Sequence, residues 1–226
     1  MQDNLFDLKK TIFFRFILAI IFVGVIFFLP AGSLKYWQAW IYCGVIFTSI
    51  FFITIYLIKN DPKLLKRRMK YKEKEKEQKI ITKIATLIFL IGFIIPGFDY
   101  RYHWSNVPAT IVIIANTVIL LSYIFFFLIF KENSYGSRTI EVEKGQKVIS
   151  TGPYSIVRHP MYLGATLMFL CTPLALGSFW SLIAFAPSPL IFIFRILNEE
   201  KVLLRDLPGY KEYCQKTQYR LLPFIW

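Results

Sequence analysis

The sequence predicts an all-α, polytopic integral membrane protein with four spanning helices and a C-terminal helix hairpin in the membrane. Of its 226 residues, 56% are hydrophobic and only 18% are charged, whereas a soluble domain has about 45–50% apolar and about 25% charged residues. Long apolar stretches follow one another along the chain, and the basic residues lie between them. These three observations exclude a soluble domain.

Four stretches predict spanning helices, because a hydrocarbon core about 30 Å thick needs about 20 apolar residues. The second and fourth contain no charged residue, while the first carries only Arg15 and the third only Lys83. Each of these two cations lies near one end, where a long side chain can reach the headgroups. No small-x-small cleavage site follows the first stretch, so we expect a retained helix and not a secretory signal. The four predicted spans are residues 11–29, 36–58, 80–98 and 107–130.

The fifth apolar stretch, residues 160–194, is too long for one crossing. As a single helix it would be about 52 Å long at about 1.5 Å per residue. Thr172-Pro173 and Gly177-Ser178 lie near its centre, and residues of these types end helices and turn the chain. The stretch therefore predicts two short helices of about 17 residues each that fold back as a hairpin.

The basic residues indicate the orientation in the membrane. Of the 27 Lys and Arg residues, all except Lys35 and Arg101 lie on one side if the four spans alternate and the hairpin returns. By the positive-inside rule that side is cytoplasmic and holds both termini. The net charge of +13 is therefore interpreted as a topology signal. The lysine-rich loop 59–83 has no base-reading motif, so we expect a solvated helix against anionic headgroups and no nucleic-acid partner.

The sequence divides into two regions and lacks several familiar site types. Residues 1–130 are predicted to hold the four spans and the basic cytoplasmic loop, and residues 131–226 a catalytic region with the hairpin and a cytoplasmic tail. The three cysteines, Cys43, Cys171 and Cys214, predict neither a disulfide framework nor a zinc site. No glycine-rich phosphate loop or Ser/His/Asp set is present. A transporter is disfavoured, because the longest apolar stretches contain no charge.

Two segments contain residues suited to chemistry, and the hairpin would bring them together. The first is VISTGPYSIVRHPMY, residues 148–162, where Gly152-Pro153 predicts a turn and Pro160 begins an apolar helix. The second is RILNEE, residues 195–200, in which Arg195 and Glu199 share one helix face. The two segments predict a small polar pocket at the cytoplasmic membrane surface.

Each of these residues also has a simpler interpretation. His159 can be a helix-end residue at the headgroup level, and Arg158 can anchor a phospholipid. Tyr154 and Tyr162 can belong to an interfacial aromatic belt. Arg195 and Glu199 can form an ion pair within one helix. The functional interpretation is favoured because these residues converge near the Gly-Pro turn.

Four parts of the sequence together resemble the isoprenylcysteine carboxyl methyltransferase (ICMT) family. They are the segment TGPYSIVRHPMYLG, the apolar run after it, RILNEEKVLL and the tail PGYKEYCQKTQYRLLPFI. They resemble the phospholipid N-methyltransferases more distantly. The resemblance covers residues 148–225. It implies a membrane enzyme that uses S-adenosylmethionine without a Rossmann domain and without a metal, and releases S-adenosylhomocysteine. The cofactor would lie in a cytoplasmic pocket closed by the C-terminal segment. A lipophilic or lipidated substrate would enter from the bilayer.

The resemblance also assigns roles to individual residues. Arg195 falls where the family contacts its substrate, and Arg195 and Glu199 are the catalytic candidates. A carboxylate such as Glu199 can accept hydrogen bonds from the cofactor's ammonium or hydroxyl groups. Aromatic rings can pack on adenine or face the sulfonium. The residues assigned to the cofactor are Gln146, Lys147, Val148, Ile149, Tyr154, His159, Pro160, Met161, Tyr162 and Glu199.

The methyl acceptor is expected to be a lipophilic carboxylate of the isoprenylcysteine type. Family members that act on prenylated proteins have an aromatic-rich stretch where this chain has Ala165, Thr166, Leu167 and Met168. A lipid amine, a phenol or a thiol therefore remain alternative acceptors. A different enzyme class is an NADPH-dependent membrane reductase related to the sterol reductases, whose C-terminal portions contain similar RHP and Tyr-rich segments.

Overall fold

The computed structural model describes residues 2–70 and 76–226, and in these ranges the chain forms helices and no strand. Five stretches are long and apolar enough to cross a membrane, and residues 160–175 form a shorter apolar helix. The predicted all-α integral membrane architecture is therefore confirmed. The helices are α1 Gln2–Ala31, α2 Trp37–Asn60, α3 Pro62–Arg68, α4 Lys76–Tyr102, α5 Ala109–Glu132, α6 Pro160–Ala175, α7 Trp180–Phe185, α8 Ser188–Asp206 and α9 Tyr210–Lys216.

The predicted hairpin is present, with α6 as its first arm and α7 and α8 as its second. The chain turns at Gly177, whose φ of 73° favours glycine and whose added Cβ would lie 3.1 Å from the side chain of Gln38. Two details of the prediction are wrong. Pro173 lies inside α6 and not at the turn, and the second arm does not end near Phe194 but continues to Asp206.

The second arm extends beyond the apolar run because charged residues end a membrane segment without ending a helix. After Pro189 no proline or glycine occurs until Pro208, so the backbone can stay helical through the charged segment. The candidate residues Arg195 and Glu199 therefore lie inside a long helix and are held by its backbone. Arg195 is half-buried, and Glu199 is half-buried one turn further on.

The basic loop 59–83 differs from the expected solvated helix. Pro62 begins α3, and the Asp61 carboxylate caps it by accepting a hydrogen bond from Leu64 N at 2.9 Å. Leu64 and Leu65 are buried, so α3 packs against the protein as well as facing outward. The expectation of a solvated helix over the remaining stretch falls partly on residues 71–75, outside the described residues.

The tip of the hairpin is fixed by polar side chains that reach its turn from other helices. Tyr36 Oη donates to Leu176 O at 2.5 Å, and Asn116 Nδ2 donates to Ala175 O at 3.4 Å. Ser178 Oγ donates to the buried Asp99 carboxylate. The first two bonds satisfy carbonyls at the end of α6.

Close packing of α1 on α4 depends on Gly97, and we expect Gly97→Ala to destabilise the protein. A Cβ at this position would lie 2.8 Å from both Phe27 O and Pro30 Cβ. Because backbone atoms cannot rotate away, overpacking of this kind costs about 1–3 kcal/mol. Thermal unfolding in a neutral detergent measures the effect. The matched control is Gly24→Ala, whose Cβ would meet nothing within 4 Å; equal melting temperatures for the two variants would contradict the prediction.

Candidate functional site

Two adjoining cavities lie where α6 begins and α8 becomes charged. The first, which we call the polar cavity, has a volume of about 870 Å³ including its open mouth and is lined by the loop after α5, the start of α6, α8 and α9. The second, the apolar cavity, has a volume of about 1720 Å³ including its mouth and lies among α2, α3, α4, α5, α6 and α8.

Every residue assigned to the site by the sequence lines the polar cavity. The two segments that carry them are distant in sequence, and the folded hairpin brings them to one place. Their roles toward a cofactor or acceptor stay predictions. The lining residues in question are Gln146, Lys147, Val148, Ile149, Tyr154, His159, Pro160, Met161, Tyr162, Arg195 and Glu199.

Tyr162 lies on the boundary between the two cavities and lines both. Its hydroxyl donates to Glu199 Oε2 at 2.7 Å and accepts from Arg195 Nε at 3.1 Å. Arg195 also lines both cavities and donates to Arg138 O at 2.8 Å. Tyr162 therefore connects the carboxylate of the polar cavity with the guanidinium that faces the apolar one.

Three tyrosines near the polar cavity are held in their neutral form. Burial, followed by the charge of Glu199, raises the pKa of Tyr154 to about 12, and its hydroxyl accepts from Asn133 Nδ2 at 2.8 Å. Burial also raises the pKa values of Tyr210 and Tyr213. Tyr213 Oη donates to Tyr154 O at 2.7 Å. These phenols can donate hydrogen bonds but are not bases at neutral pH.

Tyr210 is a lining residue that the sequence did not identify. Its hydroxyl is buried and has no hydrogen-bond partner in the described part of the chain, although a buried polar group normally has one. It lines the polar cavity beside Tyr213. The tail motif PGYKEY was part of the resemblance, but nothing in its spacing indicated which tyrosine would face the cavity.

The carboxylate of Glu200 is buried on the other side of α8, in a cluster of basic side chains. Arg158 Nε donates to Glu200 Oε1 at 2.7 Å, and Arg220 Nε donates to Oε2 at 2.8 Å. Arg158 is only 8% exposed, so the interpretation of this residue as a phospholipid anchor is wrong. His159 Nε2 lies 3.4 Å from Glu200 Oε1. The Glu200 cluster therefore joins the start of α6 to α8.

The same cluster holds the C-terminal tail beside the polar cavity. Arg158 Nη1 donates to Thr217 O at 3.0 Å and to Gln218 O at 3.1 Å. The backbone amides of Arg158 and His159 donate to Tyr219 O and Arg220 O, each at 2.9 Å. The segment that carries His159 is thus fixed by the tail on one side and by α8 on the other.

Residues 134–146 form a strap along the polar cavity, and basic side chains of α3 and of the residues just after it fix the strap. Arg67 Nη2 donates to Glu143 Oε2 at 2.5 Å, and Lys70 Nζ donates to Glu141. The hydrogen bond from Arg67 holds the pKa of Glu143 below its ordinary value, so this carboxylate is ionised at neutral pH. The sequence indicated no role for α3 at the site, because its partners lie far along the chain.

Comparison with known proteins gives one family match to the C-terminal half. The sequence model of the phospholipid methyltransferase family matches residues 106–207. This match confirms the predicted resemblance to the ICMT and phospholipid methyltransferase type of membrane proteins. All residues assigned to the site lie inside the matched range, whereas α3 and α9 lie outside it.

Two individual relatives are similar to this chain. A stretch of 98 residues is 29% identical to Delta(14)-sterol reductase TM7SF2 of Mus musculus. The aligned stretch covers 40% of this chain and 22% of that protein. The chain thus spans about a fifth of the length of this curated relative. A solved structure of the eukaryotic intramembrane Ras methyltransferase ICMT is 16% identical with a TM-score of 0.48, and the alignment covers 96% of this chain and 85% of that chain.

Proposed function

We propose that this protein transfers a methyl group from S-adenosylmethionine to a lipophilic acid that enters from the bilayer, and that it methylates the acid on its carboxylate. The observation that carries the proposal is the junction of the two cavities at Tyr162 and Arg195. One cavity is polar and contains Glu199, and the other is large, mostly apolar and set among membrane helices. A reaction between a polar cofactor and a lipid needs two such compartments in contact.

The residues of the polar cavity fit S-adenosylmethionine by their chemistry. Glu199 offers a carboxylate to ammonium or hydroxyl groups. Tyr210 offers a buried hydroxyl that has no partner in the described residues. The aromatic rings of Tyr154 and Tyr162 offer faces to adenine or to a sulfonium cation. When bound, the cofactor supplies an electrophilic methyl group on its sulfonium sulfur.

The protein's contribution to the reaction is positioning. Arg195 would hold the acceptor's carboxylate at the junction by hydrogen bonds from its guanidinium. Tyr162 would keep Arg195 and Glu199 in a fixed relation, because it bonds to both. A carboxylate nucleophile is already deprotonated, so no base is required, and exclusion of water by the apolar walls strengthens the electrostatic contacts.

The positive-inside distribution supports a cytoplasmic location for the polar cavity and for both termini. The loop 59–83 and the segments at 131–158 and 195–220 are rich in Lys and Arg. They would all lie on the side that holds cytoplasmic S-adenosylmethionine.

The direct test is incubation of membranes containing the protein with S-adenosylmethionine labelled on its methyl group, followed by extraction into organic solvent. We expect label in a lipid-soluble product from which mild alkali releases labelled methanol, because methyl esters are hydrolysed by base. Alkali-stable label on an amine, phenol or thiol would support methyl transfer but contradict the carboxylate acceptor. Absence of label, combined with no binding of S-adenosylhomocysteine, would contradict the methyltransferase itself.

A membrane reductase is the second candidate, because a 98-residue stretch is similar to a sterol reductase. This function would require NADPH in the polar cavity. Calorimetry of the purified protein with NADPH and with S-adenosylhomocysteine separates the two functions. Binding of NADPH alone would favour the reductase.

A further inference from the structure

We propose that Arg68 and Arg138 join Arg195 in an anion-binding site that selects an acidic amphiphile for the apolar cavity and disfavours a cationic one. This inference deepens the proposed function, since it concerns the class of acceptor and adds two specificity-determining residues. Arg68 lies in α3, outside the part of the chain that matches the family.

The charges on the wall of the apolar cavity are all of one sign. Arg68, Arg138 and Arg195 line it, and no Asp or Glu is found among its lining residues in the described part of the chain. The rest of the wall is formed mainly by apolar and aromatic side chains. A cavity of this composition attracts an anionic head and repels an ammonium group.

Neighbouring basic residues of the same segment differ from Arg68 in having acidic partners. Arg67 pairs with Glu143, and Lys70 pairs with Glu141. Arg68 instead donates to Ser137 O at 3.3 Å and to Met161 Sδ at 3.2 Å. No carboxylate of the described residues lies within ion-pair distance of it. The strap's two glutamates thus neutralise Arg67 and Lys70 and leave Arg68 facing the cavity.

The environment of Arg68 makes this cation costly without an anionic partner. Its guanidinium lies over the ring of Phe130 at 5.0 Å from the ring centroid. Burial, and then the charge of Arg138, lower the pKa of Arg68 to about 10, so it remains charged at neutral pH. A desolvated cation gains free energy when an anion binds beside it. An acidic head is the ligand that would provide this gain.

Arg138 places a second guanidinium at the same site. It lies in the strap, is exposed, and lines both cavities. No ion-pair partner for it is found among the side chains of residues 7–70 and 77–226. Its backbone carbonyl accepts from Arg195 Nη2 at 2.8 Å, which fixes the strap next to Arg195. Arg138 and Arg195 therefore lie at the junction of the two cavities, and Arg68 lies in the adjoining wall of the apolar cavity, near enough for both charges to act on it.

The test compares three amphiphiles with one hydrocarbon chain and different heads: oleyl phosphate, oleyl alcohol and oleylamine. Oleyl phosphate is the acid probe because its head stays ionised in a micelle. Each is titrated into the purified full chain in a neutral detergent without cofactor, and binding is followed by thermophoresis. We expect oleyl phosphate to bind at least about tenfold more tightly than the alcohol, because charge-assisted hydrogen bonds are stronger than neutral ones. We expect oleylamine to bind more weakly than the alcohol.

Substitutions at two adjacent arginines identify the residue responsible. Arg68→Gln should reduce affinity for oleyl phosphate about tenfold and leave oleyl alcohol unchanged, and Arg68→Lys should recover part of the loss. Arg67→Gln is the matched control, because it breaks a contact between α3 and the strap without removing a charge from the cavity wall. It should leave the ratio of the two affinities unchanged.

Two results would overturn the inference. One is oleylamine binding as tightly as oleyl phosphate to the unaltered protein. The other is an equal effect of Arg68→Gln and Arg67→Gln on the phosphate-to-alcohol ratio, which would make Arg68 a structural residue only. Because the assay contains no cofactor, either result leaves methyl transfer itself to be judged by the labelling experiment.

Discussion

Glu199→Gln is expected to weaken binding of S-adenosylhomocysteine about a hundredfold and to reduce methyl transfer in parallel. Loss of a charge-assisted hydrogen bond costs about 1.5–3 kcal/mol, and each 1.4 kcal/mol changes the affinity about tenfold. The glutamine can still accept the hydrogen bond from Tyr162 Oη, which is 2.7 Å long in the unaltered protein. The substitution therefore removes a charge while keeping the local geometry.

Calorimetry of the purified variant with S-adenosylhomocysteine measures this effect, and the melting temperature without ligand shows whether the fold is intact. Glu212→Gln is the matched control, because Glu212 is exposed on α9 and does not line the polar cavity. Equal dissociation constants for the unaltered protein and Glu199→Gln would show that Glu199 does not contact the cofactor.

Glu200→Gln is expected to destabilise the protein strongly, whereas Glu199→Gln is expected to weaken ligand binding and leave the fold intact. The Glu200 side chain is 8% exposed and that of Arg158 is 7% exposed, so the variant would leave a buried guanidinium without its anion. Breaking a buried pair by removal of one partner typically costs about 3–5 kcal/mol. Arg220, which also bonds to Glu200, would lose its carboxylate too. We therefore expect a markedly lower melting temperature in detergent.

The tail should become mobile in the same variant, because Arg158 and Arg220 connect it to α8. Limited proteolysis followed by mass spectrometry should reveal earlier cleavage between residues 215 and 226 than in the unaltered protein. Asp206→Asn is the matched control on the same helix, since its ion pair with Arg205 is exposed and exposed pairs contribute little. An unchanged melting temperature and an unchanged cleavage pattern in Glu200→Gln would contradict a structural role for this cluster.

Adjacent residues on α8 thus separate into two roles that the sequence did not separate. Glu199 and Glu200 are identical in type and neighbours in sequence, but successive helical positions point about 100° apart. Glu199 faces Tyr162 and the polar cavity, whereas Glu200 faces Arg158 and the tail. Helix geometry gives the two side chains different directions, but it does not say which partner each would meet.

Hydropathy predicted most of the architecture because the bilayer imposes a simple requirement. A chain in hydrocarbon must satisfy its backbone within helices of sufficient length, so uncharged runs identify the spans directly. The same criterion misplaced the end of the second hairpin arm, since α8 continues to Asp206 through a charged segment. Length alone nevertheless predicted that residues 160–194 must fold back.

The sequence by itself determined the membrane class, the hairpin and the segments that line the polar cavity. Apolar length, turn residues and a motif with fixed spacing are local properties of the sequence. They do not depend on which distant residues pack together in the folded chain. Only the tertiary structure decided that Arg158 is buried with Glu200 and that Arg68 of α3 faces the apolar cavity. Burial and charge pairing depend on which distant residues pack together, so the role of an arginine is set by neighbours that its position in the chain does not reveal.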